Sequence, residues 1–353
     1  MAVVRMTDVA KAAGVSTMTV SNVINGRRRV GPETRARVLA AMSELEYQVN
    51  HAARNLRSGR TGVVGLAVPR LERPYFAELA ARLANRFEVH GLRVVVERTK
   101  ASRQGELDAA AFSRLRMYDG LVLSVVDVAP AELEQVRIDS PLVLIGERTG
   151  PSRFDHVMME NVDGARLATA HLLAAGARRV ALLGGETGPN ANMATLRTEG
   201  YLRAHVQAGV DVDPRLLLRS TSYSLPDGYA AIGALLDRSV PFDAVFAMTD
   251  VVAMGAMRAL ADAGRRVPED VQVVGFDDIA EAAYLVPSLT SVSPGHEQIA
   301  DAICEYLLER MDVQREAGPA REMTVPARLV ERQSTKRVPP NLDDASIARP
   351  DMP

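Results

Sequence analysis

Tryptophan is missing from this chain, aromatic residues supply only 4%, and a single cysteine, Cys304, stands among 353 residues. One thiol cannot pair within the chain, which excludes a disulfide-stapled secreted scaffold and makes a reducing cytoplasm the expected setting. No apolar run approaches the ~18 residues that span a bilayer, so no membrane partner is expected. The opening MAVVRMTDVA meets a charge too early to hold the apolar core of a signal peptide. The six histidines are scattered, no HExxH or Cys/His ligand spacing occurs, and GGETGPN lacks the Lys-Ser/Thr of a phosphate loop. No metal, cofactor or catalytic residue is expected, and the chain reads as a non-enzyme. Net charge is nearly absent too, at −2. What is present is ordinary for globular proteins, with 47% hydrophobic and 24% charged residues. The length implies two or three domains.

The near-zero charge is a cancellation. Residues 1–60 hold ten Lys and Arg against four acids, a net of +6, while the remaining 32 bases and 40 acids leave −8. A basic head on an acidic body fits a phosphate-binding module, although sign asymmetry alone also fits a membrane surface or a solvated face.

The local pattern of the head separates these readings. Thr7 is placed to N-cap a short helix through Val9, Ala10 and Ala13, with Asp8 at its positive end. Gly14 supplies a turn, and Ser16 caps a second helix whose Val20, Val23 and Ile24 share one face. Asn25-Gly26 would end it. Pro32 then opens a third helix with the apolar stripe Val38, Leu39, Met42 and Leu45. Two short helices across a glycine turn form a helix-turn-helix, whose second helix lies in the major groove. Its outward residues are Thr17, Met18, Ser21 and Asn22; Thr and Ser bond bases or phosphates, Asn suits adenine, and Met18 suits a thymine methyl.

The segments DVAKAAGVS, TVSNVING, ETRARVLAAMSELEYQVN and NHAARNLRSGRTG together resemble the N-terminus of the LacI/GalR family of bacterial transcriptional repressors. The likeness continues through the body to about Thr335. It implies double-stranded operator DNA as partner, contacted by Thr7, Ser16, Thr17, Met18, Thr19, Ser21, Asn22 and Asn25, and by Tyr47, Asn50, Ala53 and Leu56 near a hinge helix. The segment HAARNLRS is too short to be a stable helix alone. In the family it folds on DNA, where Leu56 would wedge between base steps and Ala53 would permit close backbone approach. Packing of Leu56 on the body is the alternative.

In the body, apolar strands alternate with helical stretches in two series, beginning at GVVGLAVP and RRVALLGG. Near-continuous Val/Leu/Ile strands between helices indicate parallel sheets covered on both faces. The expected fold is therefore α/β: a three-helix head and hinge helix followed by two doubly wound subdomains with a ligand crevice at the strands' carboxyl ends. The expected organisation is 1–47 head, 48–61 hinge, 62–335 ligand-binding core and 336–353 disordered tail. Within the core, about 62–160 and 292–320 are assigned to the first subdomain, and about 161–291 and 321–335 to the second. The body alone would also fit a transport-associated solute-binding protein, against which the fused head argues.

The resemblance also implies an effector site. Arg197 matches the family arginine that holds polar ligand groups, Asp277 the acid that accepts from ligand hydroxyls, and Tyr223 a common aromatic platform; Asp278 would orient the loop. Tyr75 and Phe76 either wall the cleft or pack in the core, and Ser124 ends a strand at the same mouth. Three positions depart from the family pattern. Thr249-Asp250 stands for Asn-Asp, Gly146 for the usual acid with Glu147 beside it, and Pro294 for a glutamine. A sugar or sugar derivative is the expected effector, with a nucleoside as alternative. The tail lacks the leucine heptads of a tetramerisation helix, so a homodimer is expected.

Overall fold

In the computed structural model, the described residues are 4–24, 30–47, 60–112, 117–136, 138, 140–147, 152–188, 191–220, 222–312, 314 and 318–337. Asn25, Asn50, Ala53, Leu56 and the tail from 338 onward lie outside them. The chain divides into two units, Met1–Thr61 and Gly62–Pro353.

The first unit contains α1 (Met6–Ala13), α2 (Thr17–Ile24) and α3 (Pro32–Glu44). Thr7 does not cap α1. Arg5 is the N-cap, and its backbone N–H donates to the Asp8 carboxylate at 2.8 Å, leaving Thr7 exposed in the first turn. The acid closes the end electrostatically and by hydrogen bonding, which a threonine one position inside the helix cannot do. Gly14 ends α1 in the left-handed conformation, and Ser16 Oγ accepts from the Thr19 N–H at 3.1 Å to open α2. Val9, Ala10, Ala13, Val20, Val23, Val38 and Ala41 form a small core, with Met42, Leu45 and Tyr47 packed against it. Leu39 is 52% exposed rather than part of that stripe, because Ala41 occupies the inward position.

The second unit contains two six-stranded sheets. The first has the order β11-β5-β4-β3-β1-β2 and is parallel throughout: β1 (Val63–Val68), β2 (Arg93–Arg98), β3 (Gly120–Ser124), β4 (Leu142–Ile145), β5 (Asp155–Met159) and β11 (Glu322–Val325). The second has the order β12-β10-β9-β8-β6-β7: β6 (Val180–Leu183), β7 (Leu217–Leu218), β8 (Ala244–Ala247), β9 (Gln272–Phe276), β10 (Thr290–Ser293) and β12 (Arg328–Val330), with only β12 antiparallel. The buried VVGLAV, LVLI, VALL and AVFA strands need apolar cover on both faces, and helices supply it.

In the first sheet's layers, α4 (Pro74–Glu88) buries Leu79, Leu83 and Phe87 against the same core as Ile299, Ile303 and Leu307 of α11 (His296–Met311). On its other face lie α5 (Arg103–Phe112) and the single turn α6 (Pro130–Leu133). In the second, α7 (Asn161–Ala174) packs on α8 (Met193–Ala208), and α9 (Leu225–Asp237) on α10 (Asp250–Asp262).

Chain crossings differ from the sequence expectation. Residues 321–335 do not all belong to the second subdomain: Glu322–Val325 pairs in register with His156–Met159 in the first sheet, and the chain crosses only between Val325 and Arg328. Asp155 explains the placement. Its carboxylate is buried between Arg310 at 2.9 Å and Arg321 at 3.0 Å, so Arg321 draws the following strand onto β5. The earlier crossing falls after Ser293, since Thr290–Ser293 pairs with β9 and β12 in the second sheet.

Candidate functional site

The carboxyl ends of β1, β3, β4 and β5 face those of β6, β8 and β9 around a cavity of about 270 Å³. Tyr75, Phe76, Ser124, Glu147, Arg197, Tyr223, Thr249 and Asp277 all line it. The sequence expectation therefore falls on one place. Tyr75 and Phe76 serve both of their alternatives: they stand edge-to-face at 5.1 Å in the cavity wall and also pack on the core beneath.

Arg197 is the centre of the polar floor and only 1% exposed. Its Nε donates to Asn161 Oδ1 at 2.8 Å, one Nη donates to the Met248 carbonyl, and the other lies 3.4 Å from Asp277 Oδ1. The guanidinium plane sits 3.4 Å over the Phe276 ring. Burial pushes the Arg197 pKa down, opposed by Asp277 and Glu147. Burial raises the Asp277 carboxyl, opposed by Arg197 and then Arg73. Burial pushes both groups toward their neutral forms, and each charge opposes that push on the other.

Asn161, which the sequence reasoning missed, joins this pair to the other sheet. Its Nδ2 donates to Glu147 Oε1 at 3.0 Å while its Oδ1 accepts from Arg197. Glu147–Asn161–Arg197–Asp277 is thus a continuous polar chain across the floor. Its position as first residue of α7, directly after β5, was the available signal.

The departures from the family pattern have local causes. Gly146 has φ of 119°, and a Cβ there would meet the Val125 carbonyl oxygen at 2.5 Å, so no acid fits and Glu147 carries the charge instead. Thr249 caps α10 through Oγ1, which accepts from the Val252 N–H at 3.3 Å. Asp250, fully buried, accepts from Ser291 Oγ at 2.5 Å and the Ile279 N–H at 2.9 Å; burial and the neighbouring Asp277 push its carboxyl well up. These bonds clamp the Asp277-Asp278 turn, where both residues have positive φ, 108° and 49°. Non-glycine residues persist in such a conformation only when the surroundings fix them. Asp278 points away from the ligand role, as expected, and accepts from Arg332 at 2.6 Å. Pro294 lies at the crossing that follows β10.

In the head, Thr17 and Met18 are exposed at the start of α2, Met18 by 73%. Ser21 and Asn22 are half-buried, Thr19 Oγ1 is bonded to Ser16 Oγ at 3.0 Å, and Tyr47 is half-buried on the head's own core. Among the described residues no cluster of His, Cys, Asp and Glu could hold a metal, and no helix is long and apolar enough to cross a membrane.

A helix-turn-helix head joined to a two-sheet core with a polar cleft defines a ligand-responsive, DNA-binding transcriptional regulator. Residues 5–50 match the model of bacterial regulatory proteins of the lacI family, and residues 169–335 match the periplasmic binding protein-like domain. The ribose operon repressor of Halalkalibacterium halodurans is 32% identical over 93% of this chain and 96% of its own. A putative transcriptional regulator of the LacI family from Sanguibacter keddieii is 42% identical, with a TM-score of 0.71 over 78% of this chain and 99% of that one. The lac repressor dimer bound to operator and the anti-inducer ONPF is 26% identical, with a TM-score of 0.79 over 94% of this chain and 99% of that one. This chain belongs to the lacI family of bacterial regulatory proteins.

Proposed function

We propose that the protein is a repressor that binds a pseudo-palindromic operator as a homodimer and is switched by a polyhydroxylated effector, a sugar or sugar derivative, in the cleft. The observation that carries this reading is the polar chain Glu147–Asn161–Arg197–Asp277 beside Tyr75, Phe76 and Tyr223. Acids and a forked guanidinium suit vicinal hydroxyls, and an aromatic wall suits the apolar face of a sugar ring. The cavity lies just below the roughly 300–1,000 Å³ of drug-sized sites, a fit for one ring rather than an extended ligand. A nucleoside is the second reading, favoured by the three aromatic side chains.

For DNA, Thr17 and Met18 at the exposed start of α2 are the residues offered to base edges, with Ser16, Thr19, Ser21 and Asn22 behind them. Thr7, in the exposed first turn of α1, is offered to phosphate. Asn25, Asn50, Ala53 and Leu56 keep the roles implied by family resemblance. Tyr284 and Val286, 86% and 96% exposed and two positions apart on the core, offer apolar surface for the second copy. The non-enzymatic, cytoplasmic reading rests on the relatives being transcriptional regulators.

A thermal-shift screen of sugars and nucleosides tests the cleft, with hits repeated in an operator-binding titration. The expected result is a compound that both stabilises the protein and changes operator affinity. A stabilising compound that leaves operator affinity unchanged would overturn the switching role.

A further inference from the structure

The cavity contains a second guanidinium, half-buried, that the polar floor does not use. Arg73 is the N-cap residue of α4 and reaches across the cleft from the first subdomain, where Nη2 donates to the Ser222 carbonyl of the second at 3.3 Å. Its guanidinium stands 5.2 Å from the centre of the Tyr223 ring. The Nε–H is buried and bonds to nothing among the described residues. No carboxylate among those residues lies within ion-pairing distance of Arg73, although Arg197, Arg310 and Arg332 each have one. The opposing charge that acts on it most, Asp277, already serves Arg197.

Withdrawing a cation partly from water without a paired anion is costly, and the Ser222 carbonyl and Tyr223 ring offset that only in part, leaving the buried Nε–H for a further partner. The first turn of α4 also lines the cavity through Tyr75 and Phe76, so the positive end of a 15-residue helix adds to the same potential. We propose that the effector is anionic: a sugar carrying a carboxylate or phosphate group that Arg73 receives, while its hydroxyls face Arg197, Asp277 and Glu147. This rests on the effector reading of the cleft given above and narrows its ligand class. Because Arg73 already bridges the two subdomains, an anion held there would tie the ligand to both walls. Burial, the largest influence on Arg73, disfavours its charged form, and a bound anion reverses that penalty.

The test is calorimetric titration of the full chain with two sets of probes: D-ribose, D-ribonate and D-ribose 5-phosphate, and D-glucose, D-gluconate and D-glucose 6-phosphate. At least one anion is expected to bind roughly 10- to 100-fold tighter than its neutral parent, the range that hydrogen bonds to charged groups contribute. Whether the acid or the phosphate shows the preference identifies the anion. Arg73→Gln should bring the anion-to-neutral ratio close to one, and Arg73→Lys should restore part of it. Unliganded melting temperatures report folding of each variant separately, and the wild-type ratio stands if Arg73→Gln melts early. Neutral parents binding as tightly as both anions would overturn the proposal and leave the sugar-effector reading standing. An anion preference that survives in a folded Arg73→Gln protein would also overturn it. If none of the six probes binds at millimolar concentration, this proposal fails together with the sugar-effector reading.

Discussion

Replacing Arg197 by methionine keeps most of the side chain's length and removes its charge. The variant loses the hydrogen bond to Asn161, the bond to the Met248 carbonyl and the stacking over Phe276, and leaves Asp277, whose side chain is only 13% exposed, without its cation. Removing one partner of a buried ion pair costs about 3–5 kcal/mol, mostly through the stranded charge. For a core of this size, at about 2 °C per kcal/mol, that is a fall of roughly 6–10 °C in Tm. Differential scanning calorimetry of the unliganded protein measures it. The stranded charge gives the prediction a pH signature. Asp277 already has a raised carboxyl pKa from burial, and without Arg197 it rises further. A raised acid destabilises the fold in its ionised form, so the deficit of Arg197→Met should be larger at pH 8 than at pH 5. Adding Asp277→Asn removes the charge, and the double variant should recover about half of the loss or more. A deficit below about 1 kcal/mol, or no recovery in the double variant, would refute an ionised, mutually dependent pair.

Three further predictions concern other parts of the molecule. Burial would raise the Asp155 carboxyl, but hydrogen bonds from Arg310 and Arg321 override it and hold it down at about 2. Its contribution, about 2 kcal/mol, should be present above pH 4 and lost as pH falls towards 2, so Asp155→Asn should flatten the acid limb of a stability–pH curve. In α9 and α10, Cβ atoms at Gly228 and Gly255 would meet the Val252 and Leu225 carbonyl oxygens at 2.0 Å. Either Gly→Ala change should cost roughly 1–3 kcal/mol or more in urea unfolding, since two backbones must move apart. Met18→Ala should leave the melting temperature within about 1 °C, because the side chain is 73% exposed, yet alter operator preference at one base position by roughly 1–3 kcal/mol in competition binding.

The features legible in the sequence are those encoded over short distances. The apolar strands, the turn at Gly14, the Ser16 cap and the eight cleft residues depend on local pattern or on a short motif. Features that depend on a distant partner were not legible. The sequence places 321–335 in the second subdomain, but Glu322–Val325 pairs in the first sheet, beside the bond from the Arg321 N–H to Asp155, more than 150 positions earlier. Leu39 looks like part of a stripe until Ala41 is seen facing the core. Asn161 and Arg73 belong to helix starts with unremarkable neighbours, and only the meeting of two sheets gives them partners. Thr7 failed for a different reason: a threonine beside an aspartate is a sound cap signal, but the helix began two residues earlier and used the acid.

The chain passes between the two sheets three times, after Met159, after Ser293 and after Val325. The first passage leads directly into Asn161, which sits between Glu147 and Arg197, and the second into His296, whose ring nitrogen lies 2.6 Å from the Asp277 carbonyl. Rotation of one sheet against the other would turn on these few residues, where the backbone passes from one packed layer to the other. The site therefore grips the pivot of the molecule instead of its jaws. A ligand bound there would touch the residues whose torsions set the angle between the sheets, Asn161 and the Asp277 turn, rather than the outer rims of the cleft.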